Sequence, residues 1–208
     1  MKQDPRGAHA LAWLLVIFCA AGRVHAETLL IDNFQGSEDV NRLGNRVNVF
    51  LQDPSESLAS RWHDVIESTQ KRVLVLKYKK NNKGGPFDSG GWCGYYTLLK
   101  SGKDKFFNAS RYQAITFWVR GKSGYENFVI GVADRRWDKL GDSVKSQEIG
   151  VYLPSGKLTT EWQKATIPLS EFFVDMEQLA AISIVFDGDL YPTGGQLGTI
   201  YLADIVLE

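Results

Sequence analysis

Thr160–Phe172 reads TEWQKATIPLSEF, Ala180–Asp189 reads AAISIVFDGD, and Gly198–Glu208 reads GTIYLADIVLE. Within them Ala165–Leu169, Ile182–Phe186 and Thr199–Leu207 are strand-length runs rich in Val, Ile, Tyr or Phe, separated by turn residues. Outward from this stretch the same pattern repeats. Leu29–Phe34 (LLIDNF) reads as a first strand, expected to pair with the last run. Arg46–Leu51, Ser60–Glu67 with Arg72–Lys79, Trp92–Leu99 and Gln147–Leu153 read as further strands. Tyr112–Arg120 is followed by a glycine turn, which predicts Tyr125–Asp134 as its antiparallel neighbour. Asn81–Gly91 (NNKGGPFDSGG) and the charged Arg135–Lys145 read as loops. Helical periodicity shows only briefly, at Val174–Leu179. About ten short strands at this spacing predict an all-β fold, a single jelly-roll β-sandwich of antiparallel strands.

The N-terminus reads as an address. Lys2 and Arg6 precede an apolar run from Ala10 to Gly22, and Val24-His25-Ala26 offers small residues for cleavage. The expectation is a signal peptide over residues 1–26 and one exported domain over 27–208, secreted or periplasmic, with no membrane association after cleavage. The 24 basic and 24 acidic residues balance, which argues against a nucleic-acid partner. After cleavage one cysteine, Cys93, and one histidine, His63, remain. No internal disulfide is then available, and a zinc site of Cys and His is excluded unless carboxylates supply most ligands.

Several segments together resemble the galactose-binding-like β-sandwiches, most of all the family 11 carbohydrate-binding modules. They are the opening LLIDNFQG, the strand YQAITFWVRG, the segment EWQKATIPLSEF and the closing GTIYLADI. The same pattern is similar to the complex I intermediate-associated protein family, whose members are assembly factors; the export signal favours the sugar-binding branch. The resemblance implies a polysaccharide or oligosaccharide partner, a monomer, and no required cofactor. It also implies a structural calcium where first and last strands meet, with Asp32 and Asp204 as its carboxylates. This chain has Asp32-Asn33 and Ala203-Asp204 where the family tends to pair acids.

A sugar-binding face needs flat aromatics for the C–H faces of the ring and polar side chains for its hydroxyls. Gly90–Thr97 (GGWCGYYT) supplies Trp92, Tyr95 and Tyr96. Along a strand Trp92 and Tyr96 share one face while Cys93 and Tyr95 share the other; one face is core, and buried cysteine favours Trp92 and Tyr96 as ligand-side. Asp134–Asp138 adds Arg135 and Trp137, with an arginine suited to hydroxyls or a uronic carboxylate. Asp187 and Tyr191 suit a rim after Phe186, and Glu148 and Tyr152 line the polar face of one strand.

Two other classes stay open: a protein-binding scaffold on the same fold, and a small glycanase or lyase. The latter needs paired carboxylates across a cleft, for which Glu126 and Glu148 on neighbouring strands are the candidates. A Ser-His-Asp hydrolase would depend on His63, and the chain has no nucleophile elbow. The expectation is a non-catalytic binding module.

Overall fold

The computed structural model describes residues 27–191 and 194–208; the signal segment read in residues 1–26 lies outside them. The strands are β1 (Leu29–Asp32), β2 (Val47–Leu51), β3 (Glu56–Ile66), β4 (Thr69–Asn81), β5 (Cys93–Leu98), β6 (Ala114–Gly121), β7 (Val129–Asp134), β8 (Val144–Glu148), β9 (Gln163–Pro168), β10 (Leu179–Val185) and β11 (Gly195–Leu207). They form two antiparallel sheets. The six-stranded sheet runs β3-β4-β11-β6-β9, with β1 added beside β11; the five-stranded sheet runs β2-β5-β10-β7-β8.

β11 organises the larger sheet. Its first half pairs β4, from Gly195 opposite Asn81 to Leu202 opposite Leu74. β1 then pairs its end, with Leu29 opposite Leu207. Between these regions Asp204 sits at φ 51°, and the register to β6 shifts between Ala203 and Val206. That is the signature of a bulge. The expected pairing of first and last strands is therefore present.

Alternate residues of both sheets fill the space between them. β4 sends in Leu74, Leu76 and Tyr78, β6 Ile115, Phe117 and Val119, β5 Cys93 and Tyr95, and β10 Ile182 and Ile184. Tyr78 and Phe186 stack with ring centroids 3.6 Å apart. The Leu, Ile, Val and Phe side chains among them contribute about 1.5–3 kcal/mol each on burial.

The structure corrects four local readings. Tyr125–Asp134 is not the neighbour of β6: β7 lies in the other sheet, between β10 and β8. The chain between them crosses from one layer to the other, where a glycine turn suggested a hairpin. Arg135–Lys145 is not all loop, because α1 (Arg135–Leu140) forms there. Asp134 caps it by accepting from the Arg136 and Trp137 amides, and Gly141 closes it at φ 68°. Gln147–Leu153 is the end of β8 and a 3-10 turn over Ile149–Tyr152. Val174–Leu179 forms no helix: the Asp175 carboxylate takes the Glu177 amide at 3.0 Å, a local bond that competes with helix. Among the described residues no helix is long and apolar enough to cross a membrane.

Candidate glycan-binding face

The outward residues of the five-stranded sheet stand in register. Asn48 on β2 faces Tyr96 on β5, which faces Ser183 on β10, then Gly131 on β7 and Lys145 on β8. The adjacent row is Phe50, Gly94, Val185, Val129 and Glu148. The floor is small in the middle and tall towards β2. A Cβ on Gly94 would run into the Phe50 ring and the Ile184 carbonyl, and one on Gly131 would meet the hydroxyls of Ser143 and Ser183. Glycine here lets neighbouring side chains lie down on the sheet.

At the β10 end of this face lies a cavity of about 490 Å³, lined by Lys80, Asn82, Trp92, Lys145, Asp187 and Asp189 among others. Trp92 is 48 % exposed. Asp187 follows β10, and its Oδ2 is 2.6 Å from Lys145 Nζ. Burial would raise the Asp187 carboxyl pKa, but the Lys145 contact holds it below the ordinary value. Lys80 is buried, and its ammonium donates to the carbonyls of Gly91 at 2.9 Å, Ser89 at 3.2 Å and Asn81. Burial lowers its pKa. Asn82 donates to the Tyr191 carbonyl at 2.6 Å and the Gly188 carbonyl at 3.1 Å. Lys80 and Asn82 thus pin two glycine-rich loops that frame Trp92.

The sequence candidates divide. Trp92, Tyr96, Glu148 and Asp187 stand on or at the rim of this one face. Glu148 is exposed and accepts from Asn127 Nδ2 at 2.6 Å. Tyr95 does not belong to it: the residue is 2 % exposed, inside the sandwich, with its hydroxyl 3.3 Å from an Arg61 nitrogen. Burial pushes its pKa up to about 12. Tyr191 is also core, 4 % exposed, with its hydroxyl donating to the Asn127 carbonyl. Tyr152 is half-buried against the core and donates to the Glu171 carboxylate. It sits in the 3-10 turn rather than on the strand face with Glu148. Arg135 and Trp137 lie on α1 at the far end of β7 from Asp187; Arg135 is exposed near the Phe106 ring, and Trp137 is half-buried beside the Arg136 guanidinium.

Asn48, Phe50, Ser183, Lys145 and Lys80 were missed. The alternation of Arg46–Leu51 already put Asn48 and Phe50 on one side; only the pairing of β2 with β5 puts them beside Tyr96.

The calcium reading meets a poor fit. Asp32 is buried, with one oxygen accepting the Phe34 amide at 2.8 Å and the other without a hydrogen-bond partner. Burial raises its pKa. Asp204 instead pairs with Lys71, whose neighbours in alternation, Val73 and Val75, face out of the sandwich. The two carboxylates are thus engaged by different partners, Asp32 by the Phe34 amide and Asp204 by Lys71. The proposed acid pair fails too. Glu126 is 5 % exposed and accepts from the amides of Lys122, Ser123 and Gly124 and the Ser123 hydroxyl, all within 3.0 Å.

A two-layer jelly roll with an aromatic, polar-flanked face is the architecture of carbohydrate-binding modules. The sequence pattern of the family described as carbohydrate binding domain 30 matches residues 31–208, and the chain belongs to that family. Among solved structures, the family 11 module of the cellulosomal cellulase Lic26A-Cel5E of Clostridium thermocellum superposes with a TM-score of 0.60 at 12 % identity, covering 88 % of this chain and 94 % of that one. The family 11 module from Clostridium thermocellum in complex with a β-1,3-1,4-mixed-linked tetrasaccharide gives 0.60 at 13 % identity, over 86 % and 94 %. A family 30 carbohydrate-binding module gives 0.53 at 20 % identity, over 86 % and 87 %. At these identities the likeness shows the fold. No curated protein sequence matches the chain.

Proposed function

We propose that the chain is an exported, non-catalytic, monomeric module that holds a neutral β-glucan on the outer face of its five-stranded sheet. One observation carries the reading. The fold sets Trp92 and Tyr96 on one glycine-floored face and places Asn48, Ser183, Lys145 and Asp187 beside them. The aromatics stack on the C–H faces of pyranose rings, and the polar groups hydrogen-bond the hydroxyls. Family membership supports a carbohydrate as ligand. The tetrasaccharide carried by the similar family 11 module makes mixed-linked β-1,3-1,4-glucan the first ligand to try. The basic, apolar and small-residue sequence of residues 1–26 supports export. The engagement of Glu126 in its own turn supports binding without hydrolysis. A glycan array probed with the folded protein and with Trp92→Ala tests this. Selective binding weakened in the variant is expected; silence of the folded parent across the array would refute it.

A further inference from the structure

The outer face of the six-stranded sheet carries a second aromatic cluster, remote from the first face by the full thickness of the sandwich. Ser60, Val75, Tyr201 and Arg120 form one row across β3, β4, β11 and β6. Beside it stand Trp62, paired with Val73, and Trp118, paired with Ala203. Val73, Val75 and Ala203 are buried, with Trp118, Trp162 and Tyr201 packed against them. Trp62 is different: it sits in mid-strand and is 64 % exposed.

Two residues beyond Trp62, on the same side of β3, is Asp64. Its carboxylate reaches over two intervening strands to take a fork from Arg120, Nη2 at 2.7 Å and Nε at 3.1 Å. The guanidinium lies 3.8 Å from the centre of the Tyr201 ring and 5.3 Å from Trp162. Both members of the pair are thus immobilised before anything binds.

We infer that this face is a second saccharide-binding surface, on which Trp62 stacks a pyranose ring and the Asp64–Arg120 pair hydrogen-bonds its hydroxyls. The inference rests on the glycan reading of the first face. The occupant is an uncharged polysaccharide chain, because the charges around Trp62 already neutralise one another. Asp64 pairs with Arg120, Lys71 with Asp204, and Lys164 with Glu208. A charged partner would have to break one of these ion pairs to engage it, whereas hydroxyls exploit such fixed, paired groups beside an indole. The exposed Leu58 and Leu197 stand further along the face, opposite Lys77 and Lys79.

A module with two faces cross-links glucan chains as a monomer. The test uses the protein, Trp62→Ala, Trp62→Phe, Asp64→Asn and a Trp92→Ala/Tyr96→Ala pair, mixed with polymeric mixed-linked β-1,3-1,4-glucan. Calorimetry gives affinity and stoichiometry, light scattering gives cross-linking, and sedimentation velocity gives self-association. Trp62→Ala should leave the melting temperature unchanged and abolish the scattering increase. It should weaken the residual binding of the Trp92/Tyr96 variant by about tenfold, with Trp62→Phe restoring part of it. Unchanged stoichiometry and scattering in Trp62→Ala would overturn the inference while leaving the first face standing. So would a change confined to self-association, which would make Trp62 a contact between copies. No glucan binding by the parent would overturn both readings.

Discussion

Glu126 shows how the sandwich is held at its crossover, and Glu126→Gln tests it. The segment after β6 must leave one sheet and enter the other, and its turn exposes consecutive amides. One Glu126 oxygen accepts from Lys122 N at 3.0 Å, Ser123 N at 2.9 Å and the Ser123 hydroxyl at 2.9 Å; the other accepts from Gly124 N at 2.9 Å. An amide keeps an oxygen on one side but sets its NH2 against the Gly124 N–H, leaving a part-buried donor without its acceptor. The loss of charge assistance and of that acceptor costs about 2–3 kcal/mol, or a fall in Tm of about 4–12 °C for a domain of this size. The effect depends on pH. Burial alone would raise the Glu126 pKa, but the turn's hydrogen bonds hold it below the ordinary 4.5. A depressed carboxyl contributes stability that is fully present above that ordinary value and is lost as pH falls through the folded one. Urea unfolding followed by tryptophan fluorescence should therefore show a large gap between parent and variant at pH 7 that narrows in strong acid. Equal stability at pH 7, or a gap that widens in acid, would refute this role for the turn.

Three further outcomes are expected. Gly94→Ala drives a methyl into the Ile184 carbonyl and the Phe50 ring and should destabilise the protein by about 1–3 kcal/mol in thermal melts. Lys80→Met leaves the carbonyls of Asn81, Ser89 and Gly91 without their shared donor. It should cost about 1–3 kcal/mol and weaken glucan binding in calorimetry by loosening the loop that presents Trp92. Tyr95→Phe loses only the contact with Arg61 inside the core; glucan affinity should be unchanged, with about 0.5–1.5 kcal/mol lost in unfolding.

Much of the sandwich is legible in the sequence, because a half-buried strand writes its period into the chain. Tyr112–Arg120 alternates so cleanly that β6 is found within two residues at its start. The pairing of the first and last strands was likewise expected. Pairing between distant strands is not local information. β6 and the segment after it look like a hairpin, yet the glycine turn leads to a crossover that Glu126 organises. Site residues followed the same divide. Within GGWCGYYT, alternation and the burial of cysteine separate Trp92 and Tyr96 from Tyr95. Tyr191, in a polar turn sequence, gave no sign that its ring packs beside Tyr78 at a centroid distance of 6.2 Å. Asn48 and Phe50 were invisible as ligand candidates because their neighbours on the face come from β5, more than forty positions along the chain. Trp137, read in a charged loop, sits instead on a short helix that the surrounding charges cap and flank.

The most direct test maps the ligand onto backbone amides by NMR as mixed-linked β-1,3-1,4-tetrasaccharide is added. Glucan binding on the five-stranded sheet predicts the largest shifts at Asn48, Phe50, Gly94, Tyr96, Gly131 and Ser183, with Trp92 at the rim. A saturable response confined to the hollow lined by Tyr112, Leu169, Phe172 and Met176 would contradict it, as would no response at all.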